Sequence, residues 1–318
     1  MKKPLIVLTG PTAVGKTKLS IALAKAVNGE IISADSMQVY RHMDIGSAKI
    51  TPEEMDGVPH HLVDVLEPTE DFNIVLFQQM AKDAMDKIYD KGRIPILVGG
   101  TGFYIQSVTR DIDFTSSDQD EHYRRELEEL AEQKGPAFLH DMLAKVDPKS
   151  AEDIHENNVK RVIRALEFYK QNGTRISEHN EEQKEHTSPY ALAYFVLNAP
   201  RPLLYERIDT RVDEMLKNGL TEEVKKLREM GCHRGMVSMQ GLGYKEILSY
   251  FDHTCSLDEA VYILKRDTRH FAKRQITWFK REKDVIWINK NEFAYKEEDI
   301  LNDILENCEK RGIIPCRK

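Results

Sequence analysis

The sequence lacks the cysteine pattern of a disulfide-bonded or zinc-binding protein. Its 318 residues include only four cysteines, which lie far apart and form no C-x-x-C pair: Cys232, Cys255, Cys308 and Cys316. Scattered cysteines of this kind are typical of reduced thiols. We therefore expect neither a disulfide framework nor a zinc site.

Long apolar runs are also missing. The first apolar stretch, which follows Lys2 and Lys3, is interrupted at Thr9, Gly10 and Pro11, well short of a membrane span, and no small-residue cleavage site follows it. No other segment approaches the length of a membrane helix. We expect a cytoplasmic protein that makes no contact with a membrane. Because no heptad pattern or long apolar edge calls for a dimer, we expect a monomer.

An overall positive charge is absent as well, but the charge is unevenly distributed. The net charge is −7, which argues against a protein coated with nucleic acid. The segment "LKRDTRHFAKRQITWFKREK", residues 264–283, nevertheless contains eight Lys or Arg against two acidic residues. A basic segment on an acidic protein indicates one local surface for a polyanion such as RNA.

Short apolar runs alternate with amphipathic helical patterns, which predicts an α/β fold with a parallel sheet. The predicted strands are "LIVLTG", "EIISADS", "IPILVGG", "ALAYFVLNAP" and "DVIWINK". The predicted helices include "KLSIALAKAVNG", closed by Gly29, and "NNVKRVIRALEFYKQNG", with Tyr169 among its inward residues. We predict a P-loop NTPase-like parallel sheet flanked by helices.

The alternation is interrupted between about residues 113 and 190. This segment is rich in helical patterns and contains 18 acidic against 11 basic residues. We predict an inserted helical subdomain at 113–190 that contacts the polyanion, and a catalytic core formed by residues 1–112 and 191–318, which includes the basic helix near the C-terminus.

The stretch "GPTAVGKT" fits the phosphate-binding pattern G-x-x-x-x-G-K-[ST] between a predicted strand and a predicted helix. Backbone N–H groups at the N-terminus of a helix bind anions, and we expect those of the loop to converge on a phosphate. The motif consists of Gly10, Pro11, Thr12, Ala13, Val14, Gly15, Lys16 and Thr17. Lys16 provides a positive charge, and the Thr17 hydroxyl can bind Mg²⁺.

Two signatures of conventional nucleotide hydrolases are absent. There is no guanine-reading N-K-x-D, and "IPILVGG" leads into Gly-Gly-Thr-Gly without a carboxylate. A strand-end carboxylate appears instead as Asp35, after "EIISA". Because ligands bind at the carboxyl ends of parallel strands, we expect Asp35, Thr101 and the loop to line one crevice. Asp35 could accept a proton or hold a metal, and the turn at Thr101 exposes hydrogen-bond donors. A helix cap at Asp35 and a plain turn at Thr101 are the alternatives.

Arginines and a basic helix complete the set of candidate residues. Arg207 and Arg211 are spaced i and i+4, so they lie on one helix face and could clamp a diphosphate. We predict RNA contacts on the basic helix, on the turn "GLGYKE" and on the inserted segment. These residues are Arg269, Lys273, Arg274 and Lys280, then Gly243, Tyr244 and Lys245, then Arg124, Lys160, Arg161 and Arg164. The aromatic residues of the basic helix are expected to be core residues.

Six motifs together resemble one family. "GPTAVGKT", "ISADSMQVYR", "ILVGGTGFY", "RIDTRVDEMLKNGL", "GLGYKE" and "TRHFAKRQITWF" occur in the order found in the tRNA dimethylallyltransferases, from about Leu5 to Trp278. The resemblance implies transfer of a dimethylallyl group from dimethylallyl diphosphate to N6 of adenosine 37 in the tRNA anticodon stem-loop, with Mg²⁺ as cofactor.

The resemblance also implies residue roles. The loop from Gly10 to Thr17 would bind the diphosphate, which is the leaving group, and Arg211 matches the family's diphosphate-contacting arginine. Asp35 would act as the general base, and Thr101 would contact the bridging oxygen. The residues after Asp35 would touch the tRNA near the target base: Ser36, Met37 and Gln38.

Two other functions remain open from the residues alone. A small-molecule kinase would also have a phosphate loop and an arginine-bearing helix, but it does not require the basic segment at 264–283. An RNA-binding module without catalysis would bind RNA and leave it chemically unchanged. Titration with ATP and with dimethylallyl diphosphate separates the kinase from the transferase.

Overall fold

The structure of the protein is a computed structural model that describes residues 2–114 and 121–316. This part of the chain contains six β-strands, which form one parallel sheet in the order β3-β2-β4-β1-β5-β6. The strands are β1 Pro4–Thr9, β2 Gly29–Ala34, β3 His60–His61, β4 Ile94–Gly99, β5 Ala191–Asn198 and β6 Val285–Asn289. The predicted fold class, a parallel α/β sheet flanked by helices, is confirmed.

The chain forms two compact units. The first consists of Met1–Thr109 and Ser188–Lys318, and the second of Arg110–Thr187. The helices of the first unit are α1 Lys16–Val27, α2 Pro52–Met55, α3 Ile74–Asp90, α4 Gly102–Thr109, α10 Arg201–Lys217, α11 Leu220–Glu229, α12 Tyr244–Phe251, α13 Leu257–Phe279 and α14 Glu297–Lys310. The helices of the second unit are α5 Glu121–Lys134, α6 Pro136–Val146, α7 Pro148–Asp153, α8 Val159–Asn172 and α9 Ile176–Glu185.

The sheet of the first unit has an apolar cluster on each face. Successive side chains of a strand point to opposite faces, so Leu5 and Val7 of β1 pack in one cluster and Leu8 in the other. Both of the faces are covered by helices, α3 and α13 on one side and α1 and α14 on the other. A central parallel strand is therefore apolar throughout, which explains the uninterrupted run in "LIVL".

The second unit has a small core of its own. It contains Leu127, Leu139, Leu143, Ala151, Val162, Ile163, Ala165 and Leu166. These residues come from α5, α6, α7 and α8, so the segment is helical, as its sequence indicates. The unit begins at Arg110 and ends at Thr187, in each case three residues before the predicted limits of 113 and 190.

Two details of the predicted helices are wrong. Helix α1 is closed by Asn28, which adopts a left-handed conformation with φ of 52°, and Gly29 is instead the first residue of β2. The short polar side chain of asparagine tolerates this conformation, so a glycine is not required. In α8, Tyr169 is exposed, and Phe168 takes the buried position.

Candidate active site

The carboxyl ends of three neighbouring strands lie level with one another. Gly99 at the end of β4 is paired with Ala34 of β2 on one side and with Thr9 of β1 on the other. The next residues along each strand are Gly100, Asp35 and Gly10. This register brings the turn before Thr101, the strand-end carboxylate and the phosphate loop to one edge of the sheet, as the strand pattern predicts.

Glycine is required at both ends of the phosphate loop. Gly10 has φ of 146°, and a Cβ atom there would lie 2.4 Å from the carbonyl oxygen of Leu197. Gly15 has φ of 88° and immediately precedes α1. Because Gly15 has no side chain to cap the helix and the first turn contains no acidic residue, the positive end of the helix dipole is available to an anion.

Lys16 lies folded over this loop. Its ammonium group donates hydrogen bonds to the carbonyl oxygens of Gly10 and Pro11, both at 3.0 Å. The pKa of Lys16 is lowered to about 8, mainly by burial and also by nearby Arg211, whereas Asp35 acts in the opposite direction. A partly buried cation near a second cation is stabilised when an anion binds close to both.

Not every N–H group of the loop is available for that anion. The N–H of Thr12 donates to Oε1 of Gln275 at 2.9 Å, and the N–H of Val14 donates to the carbonyl of Pro11 at 3.4 Å. The expectation that all N–H groups from Gly10 to Gly15 converge on a phosphate is therefore wrong for these two.

The two carboxylate oxygens of Asp35 differ in their hydrogen bonds. Oδ1 accepts hydrogen bonds from the N–H groups of Met37 at 2.8 Å and Gln38 at 3.4 Å, so it shapes the following turn. Oδ2 accepts no hydrogen bond from any residue that the structure describes. Asp35 acts electrostatically on Lys16, on Arg211 and on Tyr104, whose pKa is raised to about 12 by burial and by this carboxylate. One carboxylate oxygen thus has no hydrogen-bond partner among the described residues and lies in the electrostatic field of two cations.

The turn at Thr101 packs closely against β2 and α13. The N–H of Thr101 donates to the carbonyl of Ala34 at 3.3 Å, so the expectation that it is exposed is wrong. A Cβ atom on Gly99 would lie 2.2 Å from that same carbonyl oxygen, and one on Gly102 would lie 2.2 Å from the Trp278 ring. The three glycines of the turn allow β2 and α13 to approach, and the Thr101 side chain beside them is half-buried.

Arg207 and Arg211 both line a cavity of about 450 Å³ beside the phosphate loop. Arg211 donates to the hydroxyl of Thr12 at 3.4 Å and interacts electrostatically with Asp35. Arg207 lies over the ring of Tyr295, 5.9 Å from its centroid. Arg211 therefore lies at the loop itself, and Arg207 lies farther along the same helix face.

The segment at 44–46 is held by a carboxylate that the sequence analysis missed. Glu223 of α11 accepts hydrogen bonds from three consecutive backbone N–H groups, those of Asp44, Ile45 and Gly46, at 2.7–3.0 Å. Ser36, Met37 and Gln38 are half-buried. The side-chain amide of Gln38 donates a hydrogen bond to the carbonyl of Ala48 at 3.3 Å, so this side chain is also held by the protein itself.

Tyr244 is not an RNA contact. It is fully buried, donates to Glu223 at 2.8 Å and accepts from the N–H of Ser47 at 3.1 Å. The neighbouring Gly243 is also buried, and Lys245 is half-buried with its ammonium 3.5 Å from Glu246. The prediction for Tyr244 is wrong because its ring is needed in the core under the segment at 44–47, a contact that crosses about two hundred residues of sequence.

We expect Tyr244→Phe to lower the free energy of unfolding by about 1–3 kcal/mol, because it leaves buried hydrogen-bonding groups unpaired. Urea denaturation measures this change. The affinity for an anticodon stem-loop should stay within about twofold of the wild-type value. Tyr250→Phe on the same helix is the control. A folded Tyr244→Phe protein with weakened RNA binding would show that the hydroxyl does reach the ligand.

The predicted RNA-binding cations of the basic helix α13 differ in their exposure to solvent. Arg269 is paired with Asp209, whereas Lys273, Arg274 and Lys280 are exposed. Phe279 is completely buried, as expected for a core aromatic residue. Lys273, Arg274 and Lys280 therefore provide exposed positive charge along and just beyond the C-terminal part of α13.

The four predicted RNA contacts of the second unit lie on two of its helices. Arg124 of α5 forms two hydrogen bonds of 2.8 Å with Glu167, a buried carboxylate. It therefore stabilises the core of this unit, and a contact with RNA stays a prediction. Lys160, Arg161 and Arg164 of α8 are exposed.

A polar residue on the apolar face of α13 is the other feature that the sequence analysis missed. Gln275 falls between Ala272 and Phe279, positions that are spaced for the buried face of the helix, and all three are buried. A polar residue among apolar residues at helical spacing is the signal that could have identified it.

Lys290 is a further buried residue that contacts the phosphate loop. Its ammonium group lies 3.4 Å from the carbonyl oxygen of Val14 and forms an ion pair with Glu297.

Two further features are absent from the described part of the chain. Within residues 2–114 and 121–316, no helix is long and apolar enough to cross a membrane. The same residues contain no group of three or more His, Cys, Asp or Glu side chains that could hold a metal ion by themselves.

Comparison with protein families gives two matches. The IPP transferase model matches residues 38–282, and the isopentenyl transferase model matches residues 3–64. The chain is 62% identical over 312 residues to a tRNA dimethylallyltransferase of Lachnoclostridium phytofermentans, covering 98% of this chain and 99% of that one. It is 51% identical over 289 residues to the tRNA dimethylallyltransferase of Carboxydothermus hydrogenoformans, covering 91% and 93%.

Solved structures agree with this result. A tRNA isopentenylpyrophosphate transferase of Bacillus halodurans is 47% identical, with a TM-score of 0.74 and 98% of each chain covered. A eukaryotic dimethylallyltransferase acting on tRNA is 30% identical, with a TM-score of 0.82, 99% of this chain and 81% of that chain covered. The near-complete coverage, the sequence identities and the family model over residues 38–282 lead to one conclusion: this chain belongs to the IPP transferase family of tRNA dimethylallyltransferases.

Proposed function

We propose that this chain transfers the dimethylallyl group of dimethylallyl diphosphate to N6 of adenosine 37 in the anticodon loop of tRNA, releasing diphosphate. The observation that carries the proposal is the position of Asp35 at a strand end level with the phosphate loop, with an Oδ2 that accepts no hydrogen bond from the described residues. A base next to a diphosphate site is what an alkylation of an amine requires. The names of the relatives, tRNA dimethylallyltransferases, support the same reaction.

The bonds broken and formed, the electron pairs and the proton of this reaction are all accounted for by the two substrates and Asp35. The allylic C–O bond breaks, and its electron pair leaves with the diphosphate. The N6 lone pair of adenine forms the new C–N bond, and the N6 proton moves to Oδ2 of Asp35. An exocyclic amine is a poor nucleophile, and loss of its proton as the bond forms improves it. Because cleavage leaves negative charge on the diphosphate, stabilisation of that anion supplies much of the rate enhancement.

The first unit has the groups for this stabilisation. The N-terminus of α1 and the ammonium of Lys16 would bind the diphosphate, and Arg211 would contact it from α10. Thr101, at the adjoining strand end, would donate to the oxygen that bridges carbon and phosphorus. We assign Arg207, farther along the same face, to the outer part of the diphosphate site.

The donor set is consistent with a magnesium ion. Thr17 is exposed in the first turn of α1, and its hydroxyl is a hard oxygen ligand of the kind that Mg²⁺ prefers. Few protein ligands are needed, because Mg²⁺ usually keeps several waters and binds substrate phosphates. Thr17 would hold the ion at the diphosphate, where the ion would neutralise developing negative charge.

The adenine must leave the base stack before N6 can meet the allylic carbon. Ser36, Met37 and Gln38 lie on the turn that Asp35 shapes, so we assign them to the RNA near the target base. The exposed cations of α13 would hold phosphates of the anticodon stem-loop. Lys245 and the four basic residues of the second unit stay predicted contacts. We propose a monomeric protein in the cytoplasm, where tRNA is found.

Mass analysis of tRNA fragments tests the proposal directly. We expect that incubation with dimethylallyl diphosphate and Mg²⁺ adds one five-carbon group to the fragment that contains adenosine 37. A parallel incubation with ATP in place of dimethylallyl diphosphate is the control for a kinase. Recovery of unmodified RNA from both incubations, with RNA binding intact, would contradict the proposal and favour a non-catalytic RNA-binding module.

Lys273→Ala and Arg274→Ala should weaken binding of an anticodon stem-loop, because each removes a cation that would bind a phosphate. The slope of log K against log salt concentration should become shallower by about 0.7–0.9 for each phosphate that the variant no longer neutralises. Binding measured between about 50 and 200 mM salt tests this expectation. Lys225→Ala, which removes an exposed cation of α11, is the control. A slope unchanged in both variants would exclude α13 as the RNA surface.

A further inference from the structure

Gln275 connects two parts of the candidate site that are far apart in the sequence. Its Nε2 donates to the carbonyl of Gly100 at 3.0 Å, and its Oε1 accepts from the N–H of Thr12 at 2.9 Å. One buried amide therefore joins the turn before Thr101 to the phosphate loop. The fit is close, because a Cβ atom on Gly100 would lie 2.2 Å from Nε2.

These contacts require an amide of this length. Glutamine offers one acceptor and one donor group at its end, which match the N–H on one side and the carbonyl on the other. Glutamate when ionised only accepts, leucine does neither, and asparagine is one methylene shorter. The site therefore selects glutamine by chemistry as well as by size.

Gln275 also fixes an N–H group that would otherwise be available to an anion. Thr12 forms two hydrogen bonds to other elements: its N–H donates to Gln275, and its hydroxyl accepts from Arg211 at 3.4 Å. The loop conformation that faces the diphosphate thus depends on α10 and α13. On α13, the exposed Lys273 and Arg274 directly precede Gln275.

We propose that Gln275 is a positioning residue that sets the separation between the diphosphate loop and Thr101. Thr101 must meet the bridging oxygen of a diphosphate whose phosphates lie on the loop, so the two elements must keep a fixed distance. Gln275 has a hydrogen bond to each of the two elements, to the carbonyl of Gly100 and to the N–H of Thr12. This inference rests on the function proposed above.

The test compares single-turnover prenyl transfer in Gln275→Leu and Gln275→Glu with that of the wild type, under saturating substrates. We expect Gln275→Leu to lower the rate constant by about 10²-fold, because a displacement of about 1 Å in a reacting geometry can have that effect. Gln275→Glu keeps the acceptor for Thr12 and loses the donor, so we expect a loss of about tenfold. Thr277→Ala, two residues along α13 with an exposed side chain, should behave as the wild type.

Three readouts separate positioning from a purely structural role. Thermal denaturation shows whether each variant is folded at the assay temperature. If Gln275→Leu does not fold, the single-turnover rate of Gln275→Glu tests the proposal. Affinity for an anticodon stem-loop should stay within about twofold. In the Thr101→Ala background, either replacement of Gln275 should have a much smaller effect than in the wild type, since residues that act through one another are not additive.

The experiment distinguishes failure of the role proposed for Gln275 from failure of the proposed function. Near-normal rates in the folded variants, or losses that add to that of Thr101→Ala, would overturn the role of Gln275. Absence of prenylated RNA from the wild-type reaction would instead overturn the proposed function itself.

Discussion

Asp35→Ala is expected to lower the single-turnover rate of prenyl transfer by about 10²–10⁴-fold, the usual contribution of a general base. The reason is the loss of Oδ2, which accepts no hydrogen bond from the described residues and lies in the field of Lys16 and Arg211. Binding of dimethylallyl diphosphate should be unchanged or tighter, because the substitution removes a negative charge beside an anion site. Rapid-quench assays and calorimetric titration measure the two quantities.

Asp35→Asn is the matched control for this prediction. Its side-chain oxygen can still accept the N–H groups of Met37 and Gln38, which Oδ1 of Asp35 accepts in the native protein. The turn should therefore keep its shape while the base is lost. If Asp35→Asn transfers the prenyl group at a near-normal rate and Asp35→Ala does not, Asp35 acts by shaping the turn, and the assignment as base is wrong.

Lys16→Ala should reduce kcat/KM for dimethylallyl diphosphate by about 10³-fold. A hydrogen bond to a charged group contributes about 1.5–3 kcal/mol, which corresponds to a loss of about 10- to 100-fold in binding. The remainder is expected in the rate, because charge on the diphosphate grows as the C–O bond breaks. The substitution also removes the hydrogen bonds to Gly10 and Pro11, which hold the side chain over the loop.

Lys18→Ala is the control for Lys16. Lys18 is an exposed cation two residues further along α1, so its loss changes the net charge equally without touching the loop. Equal effects of the two substitutions would indicate a general attraction of the anion. An unchanged affinity and rate in Lys16→Ala would exclude the loop as the diphosphate site.

The parts of the site that sequence reasoning predicted are those defined by short-range patterns. The motif from Gly10 to Thr17 and the strand-end position of Asp35 each depend on a few consecutive residues between a strand and a helix. The helix predicted from "NNVKRVIRALEFYKQNG" forms for the same reason, and α8 buries Val162, Ile163 and Leu166 at helical spacing. Tyr169 was misplaced because Phe168 beside it competes for the same buried face of α8.

Residues whose role depends on distant partners were missed or misassigned. Tyr244 stands on a turn that sequence reasoning gave to RNA, yet its hydroxyl bonds to Glu223 and to the N–H of Ser47. Gln275 lies in a segment dominated by cations, and its partners are 263 and 175 residues away in the chain. No local pattern describes such pairs.

The sequence by itself determined the parallel α/β fold, the anion-binding loop and the position of a carboxylate at a neighbouring strand end. These follow from the period of apolar residues and from glycines that a tight loop requires, which are properties of consecutive residues. The tertiary structure alone decided which donors of the loop are free, which oxygen of Asp35 is available, and how Gln275 joins Thr12 to Gly100. Those depend on packing between elements, because a buried polar group takes whichever partner the fold brings within hydrogen-bond distance.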